Sequence, residues 1–436
     1  MEDSALFISF VLLNIKKEIS VSKSTYFFGQ PLYSQITFLL DKDKILKISQ
    51  ELKGERYIKK FDIWHHLNSM LYATISRLDS LREIEMAMTA ESRKLRHLGL
   101  TTVPKRSTLA DANEKRPEGI FGAIYTDLYN TTKDSLLSDS RTKDIPQWMK
   151  KLLIIDSTTI SLFSNLIFKG VGRNPKTGKK KGGLKVHSIL RATEGVPCDI
   201  QFSSSATHDH FMLSPEKLTS EDIVAFDRAY INYEKFEKLT ENKVIYVTKM
   251  KRNLKYVLES DTFYQNQDGK TVCREQIVVF RKELSEKTIN HRARIITYTD
   301  IEGKNNKKPK LISLLTNDFN MNYDDIIAIY KKRWHIESLF KQLKQNFPLK
   351  YFYGESANAI KIQVWVVLIA NLLLTIMKKK IKRHWSFSGM ATTIRILLMQ
   401  YIKFESFFES PEKDLKRMLE ESQKSPPVGS YQLSLF

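Results

Sequence analysis

The chain has 436 residues, 42% hydrophobic and 27% charged, enough for two or three domains with proper cores, which excludes a disordered or fibrous protein. Seventy Lys and Arg against 49 Asp and Glu leave a formal charge of +21, pointing to a polyanionic partner, nucleic acid ahead of a ribosome-associated role. Cys198 and Cys273 lack Cys-x-x-Cys spacing, which excludes a disulfide scaffold and a cysteine-based zinc site and suits a reducing cytoplasm.

Taken in chain order, the first residues (MEDSALFISFVLLNIKKE) place acids before an apolar run and bases after it, the reverse of a secretory signal. Residues 1–22 read as an extension, either unstructured or preceding a natural start near Ser22. Residues 23–140 are expected to form a helical domain, with amphipathic runs at Ile63–Arg77 and Ser80–Met88 and a side-chain-capped helix start at Arg106-Ser107-Thr108. The texture changes at Trp148, opening an α/β region over 145–250. KLLII (151–155) reads as a buried strand ending at Asp156, followed by a Gly/Lys-rich loop (170–183). Leu184–Ala192 and Pro197–Ser203 form a hairpin around Thr193-Glu194-Gly195, Ile223–Phe226 ends at Asp227, and Val244–Thr248 is a further strand. Residues 251–322 read as a β-rich insertion. A single helix is expected from Asp324 through Lys344, within a second α/β part spanning 323–405. Ile362–Met377 is apolar over 16 residues, short of the roughly 20 a bilayer needs, and contains Gln363 and Asn371, so a buried helix is expected and no membrane partner. Residues 406–436 read as a helix and a flexible tail.

The chemistry concentrates in YKKRWHIESLFKQLK (330–344). On one helix, Tyr330, Arg333, Glu337 and Lys344 fall within an arc of about 60°, beside an apolar stripe of Ile336, Leu339, Phe340, Leu343 and Phe347. Glu holds a hard divalent cation through oxygen, Arg forks onto phosphate, and Lys adds a point charge. Read alone, the same face is equally a solvated, salt-bridged one, and an Asp after a strand is usually a turn residue. Two strand-end aspartates plus a helical glutamate, however, make three carboxylates, enough for two Mg²⁺ ions about 3.5–4 Å apart, with Mn²⁺ as a substitute.

Tyr-two-Arg-three-Glu-six-Lys is the signature of insertion sequence 4 family transposases, and residues 330–344 match it in full, a coincidence on the order of one in 10⁵ per start position. Leu153-Ile154-Ile155-Asp156-Ser157-Thr158 resembles the family's first aspartate segment. Asp227-Arg228-Ala229-Tyr230 resembles its second, with Ala229 where the family carries glycine. Gly183-Leu184-Lys185-Val186-His187 resembles its intervening pattern. Gly54-Glu55-Arg56-Tyr57, Asp79–Ile84, His97-Leu98-Gly99 and Arg106–Ala112 resemble the helical domain of one branch. The resemblance covers roughly residues 23–400. It implies an α/β fold with an RNase H-like core, a β-rich insertion and an N-terminal helical DNA-binding domain. It implies Asp156, Asp227 and Glu337 as catalytic metal ligands, with Tyr330, Arg333, Lys344, Lys185 and Arg228 on DNA. The expected reaction is Mg²⁺-dependent cleavage of terminal inverted repeats and strand transfer to target DNA, by a homodimer in a synaptic complex on nucleoid DNA. The alternatives are a nuclease without strand transfer and a decayed DNA-binding protein.

Several lesser signals stand beside these. Lys179, Lys180 and Lys181 lie in a basic loop suited to DNA backbone, and Trp334 could stack on a base. His208-Asp209-His210 reads as a surface or capping cluster before a metal clip, with Asp209 the nearby rival to Asp227. Gln432, Leu433, Leu435 and Phe436, on a Pro-Pro-Val-Gly-Ser tether, resemble the motif by which bacterial proteins dock on the DNA polymerase sliding clamp.

Overall fold

The computed structural model describes residues 29–56, 58–137, 145–161, 183–265, 267, 271–283, 288–300, 309–413, 416 and 420. The expected extension over 1–22, the loop bearing Lys179, Lys180 and Lys181, and the tail with Gln432–Phe436 lie outside these residues.

The fold is α/β, organised on a nine-stranded sheet of order β3-β2-β1-β4-β5-β9-β8-β7-β6. The strands are β1 (Leu152–Ser161), β2 (Gly183–Arg191), β3 (Pro197–Ser204), β4 (Ile223–Phe226), β5 (Ile245–Lys249), β6 (Val257–Gln265), β7 (Thr271–Glu283), β8 (Thr288–Asp300) and β9 (Lys310–Thr316). β1, β4 and β5 run parallel, and their short apolar sequences are buried on both faces, as a sheet covered by helices requires. β1–β2–β3 is an antiparallel meander whose turn has Gly195 at φ +74°, a conformation glycine reaches without strain.

The β-rich segment expected over 251–322 joins the central sheet. β9 pairs antiparallel with β5 (Val247↔Thr316), so β6–β9 extend the central sheet. That long-range register leaves no local trace in the sequence. β6, exposed along its whole length, carries no two-residue burial pattern from which to predict it.

The long helix Ala357–Lys379 binds the two halves together. It is 23 residues long and apolar enough to cross a membrane by length and composition, but 89% of its apolar window is buried in the protein. Val364, Val367 and Leu368 line a small cavity with Thr158 and Ile160 of β1 and Val186 of β2, while Trp365 packs on Gly122, Tyr125 and Phe202. Asn358 donates to the carbonyls of Asn113 and Arg116, each at 2.8 Å, satisfying groups orphaned at the end of helix Arg106–Lys115. One hydrophobic cluster therefore runs from Leu32 to Phe408 through helices and sheet alike.

In the N-terminal part, helix Ile63–Ser76 is buried at nearly every position, as expected of a helix surrounded by others. Helix Leu81–Ala90 starts at an N-cap in which Ser80 Oγ accepts from the Glu83 amide at 3.2 Å, and Glu83 accepts from the amide of the preceding Asp79 at 2.9 Å. The capped start expected at 106–108 is built differently. No side chain caps helix Arg106–Lys115 from its own N-cap, and the Arg106 amide donates to Glu85 of the preceding helix at 2.9 Å.

His66, fully buried, faces Asn113 Oδ1 at 2.8 Å, and burial, reinforced by the Arg116 charge, lowers its pKa to about 3. Below about pH 6.5 the unfolded chain takes a proton here that the folded chain refuses, so this contribution is complete above that pH and fades as pH falls toward 3. Urea unfolding should show stability dropping by up to about 1.4 kcal/mol per pH unit through this group. His66→Gln should make that slope shallower; an unchanged slope would refute the assignment.

Candidate active site

β1 and β4 are parallel and in register at Ile155↔Phe226, so Asp156 and Asp227 follow side by side on strands about 4.8 Å apart. Even register puts both side chains on the same face. Asp156 is not at the end of β1, contrary to the sequence expectation. It stands where pairing to β4 stops, while pairing to β2 continues from Asp156↔Ser188 to Ser161↔Gly183. Asp227 is the N-cap of the turn Arg228–Tyr230, accepting from the Ala229 amide at 3.0 Å. Ala229 is not among the positive-φ residues, so nothing in its backbone requires glycine.

The expected single helix through the Tyr-Arg-Glu-Lys segment is two helices, Tyr323–Lys332 and Trp334–Asn346, meeting at Arg333. The Arg333 amide bonds the Tyr330 carbonyl at 3.1 Å, a tighter i→i−3 link that breaks the α-helical ladder, so the one-helix arc does not hold across the junction. Arg333 points inward. Its Nη1 lies 2.6 Å from Glu337 Oε1 and 3.5 Å from Asp156 Oδ2, and its side chain is only 8% exposed. The guanidinium also sits 5.5 Å from the Tyr330 ring and 5.3 Å from the Trp334 ring. Tyr330 is buried, whereas Trp334 is 58% exposed. Burial raises the Asp156 pKa to about 6; the negative charges of Asp227 and Glu337 push it the same way, while the Ser157 amide and Arg333 oppose them.

An open cleft of about 580 Å³ beside this cluster is lined by Asp156, Ser157, Glu337, Lys341, Lys344 and Lys350, among others. Lys344, its pKa lowered by burial, donates to the Thr159 carbonyl at 3.2 Å. Arg228 is exposed. Lys185 is engaged within the protein: its Nζ is 3.1 Å from Asp209 and donates to the Thr207 carbonyl at 2.8 Å. Asp209 also accepts from Ser157 Oγ at 2.8 Å, so it supports β1 rather than standing beside β4 in place of Asp227. His208 and His210 stack on each other, centroids 5.8 Å apart.

Lys249 was missed in the sequence. It follows Thr248, whose register partner on β4 is Phe226, so it sits next to Asp227 in the row of parallel strand ends. Burial lowers its pKa, as do the positive charges of Lys310, Arg228 and Arg333, with Asp227 opposing. The signal was available: VIYVTK ends an apolar run on a polar group, as KLLIID and DIVAFD do.

The carboxylate oxygens of Asp156, Asp227 and Glu337 are the hard donors a divalent cation takes, and the mutual repulsion raising Asp156 is what such a cation would relieve. The group therefore suits this donor set. As placed, however, among the described residues no three His, Cys, Asp or Glu side chains form a group that could hold a metal ion. In this arrangement the Arg333 guanidinium stands between two of the three expected carboxylates, Asp156 and Glu337.

A family model described as a transposase DDE domain matches residues 147–373, just over half of the chain, and a domain of unknown function matches residues 28–101. A protein of Synechocystis sp. assigned as a transposase for insertion sequence element IS4SA is 27% identical over 62% of this chain and 71% of its own length. One of Sinorhizobium fredii assigned as transposase y4zB is 28% identical over 63% and 71%. Among solved structures, the piggyBac transposase synaptic complex with hairpin DNA aligns with 94% of this chain and 88% of that one, at 12% identity and a TM-score of 0.40, too slight a likeness to argue from.

Proposed function

The chain belongs to the DDE transposase family, and from that premise we propose that it is an insertion sequence 4 type enzyme that binds its element's terminal inverted repeats, cleaves them with divalent metal and joins the freed ends to target DNA. The observation that carries this reading is the placement of Asp156 in β1 beside Asp227 at the end of the parallel strand β4, with Glu337 linked to Asp156 through Arg333. The order β3-β2-β1-β4-β5, antiparallel across the first three strands and parallel across the last three, supports an RNase H-like core over 145–250 and 323–405.

Asp156, Asp227 and Glu337 would hold two Mg²⁺ ions, which supply an activated water or 3′-hydroxyl and a stabilised leaving oxygen. The chain's own part is positioning and charge. Lys341, Lys344 and Lys350 along the cleft, with Arg228 and Lys249 beyond Asp227, offer the backbone a run of cations. Exposed Trp334 offers a face for an unstacked base at the end being cut. The helical region up to residue 140 would grip the repeat, Lys179, Lys180 and Lys181 would add backbone contacts, and two copies would pair the two ends of the element in a synaptic complex.

The test is to incubate the purified protein and Mg²⁺ with duplexes carrying the element's ends, then map the products. Cleavage with joining is expected. Cleavage alone would make it a nuclease, and binding without either would make it a DNA-binding relic. We extend the proposal to the C-terminal Gln432–Phe436 motif as a ligand of the sliding clamp. Phe436→Ala should abolish capture on immobilised clamp, and undiminished capture would remove this partner.

A further inference from the structure

Arg333 does more in this geometry than wait for a phosphate. Its Nη1, 2.6 Å from Glu337 Oε1 and 3.5 Å from Asp156 Oδ2, stands where a cation shared by those two carboxylates would stand. We infer that Arg333 is an internal counter-cation that competes with divalent metal for Asp156 and Glu337, so that metal loading hands the guanidinium to DNA and each ligand tightens the other. This rests on the reading of Asp156, Asp227 and Glu337 as the metal-holding set.

Three features support exchange over a fixed structural ion pair. Arg333 Nη1, 2.6 Å from Glu337 and 3.5 Å from Asp156, takes the position that a cation bridging those carboxylates would take, and like charge disfavours both cations there together. The seat is also incomplete: Arg333 Nε is buried with no hydrogen-bond partner, an unmet donor that a phosphate fork would satisfy. Finally, a path outward exists. The guanidinium lies against Trp334, which is largely exposed, and Lys341 and Lys344 line the adjoining cleft where phosphate would arrive. Because coupling free energies are reciprocal, DNA must raise metal affinity by the factor by which metal raises DNA affinity, and Arg333 carries part of that factor.

The experiment is Mn²⁺ binding to the full-length chain, read as loss of the free-ion paramagnetic signal. It is done without DNA and with a pre-cleaved end duplex lacking a 3′-hydroxyl, which leaves nothing to join. Without DNA, Arg333→Gln should bind Mn²⁺ at least roughly 5-fold more tightly than the wild type, the lower end of ordinary coupling between sites. The gain that DNA confers on the wild type should shrink in the variant by the same factor. Arg333→Lys, which keeps the charge but loses the fork, should fall between and serves if the Gln variant does not fold. If Arg333→Gln binds Mn²⁺ no more tightly than wild type, or keeps the full DNA-induced gain, the exchange is refuted while the metal site stands. If Asp156→Asn leaves wild-type Mn²⁺ binding intact, the metal-site reading fails and the exchange falls with it.

Discussion

Asp156→Asn should lose DNA cleavage by at least about 10³-fold, because the metal-centred charge stabilisation it removes is worth several kcal/mol. Asn keeps the side chain's size and can still accept from the Ser157 amide, bonded to Asp156 at 2.8 Å, so the fold is preserved. Asp227→Asn likewise keeps the cap on the Ala229 amide. Glu337→Gln removes the closer partner of Arg333 and should also be inactive. Measured without divalent metal, all three should hold a terminal-repeat duplex at least as tightly as the wild type, since each takes a negative charge away from a phosphate-binding cleft. Gel-based cleavage and fluorescence anisotropy on the same preparations read both quantities. A variant that cleaves at near-normal rate removes its carboxylate from the mechanism, and one that loses binding and cleavage together has failed structurally.

The second large effect concerns the frame that holds these groups. Ile369 is fully buried in the middle of the long helix Ala357–Lys379, whose faces meet both the sheet and the N-terminal helices. Ile369→Ala should cost about 2–5 kcal/mol through lost burial and an unfilled cavity. Whole domains are stable by only about 5–15 kcal/mol, so the variant should sit close to the folding threshold. Because one cluster spans Leu32 to Phe408, the loss should shift a single cooperative transition. Two calorimetric transitions, only one of them displaced, would mean that the helical region and the sheet fold independently.

What could be read from the sequence was what is local. The apolar runs before Asp156 and Asp227 announced strands because buried parallel strands have no polar face to interrupt them. The helix over Ala357–Lys379 is longer than the 16-residue apolar run, so length did not declare it buried; Gln363 did, bonding the Tyr353 amide and the carbonyls of Pro348 and Tyr351. Residue spacing placed Arg333 near Glu337 but not the break that aims it at Asp156 as well, because the apolar period runs on unbroken through the junction. Lys185 was expected on DNA from the resemblance of its segment; its ion pair with Asp209, 24 residues later, leaves no local trace. The fusion of β6–β9 to the sheet depends on the β5–β9 register, a contact made 69 residues apart at Val247 and Thr316. Side-chain chemistry and local period survive in a sequence, whereas which charge meets which is decided by tertiary approach.

The most direct test of the central claim is anomalous diffraction from crystals of the protein with its end duplex and Mn²⁺. The account predicts Mn²⁺ peaks within about 2.0–2.6 Å of oxygens of both Asp156 and Asp227, one of them also reached by Glu337, with Arg333 drawn off to a phosphate. Mn²⁺ bound elsewhere, with Arg333 still bridging Asp156 and Glu337 beside bound DNA, would contradict it.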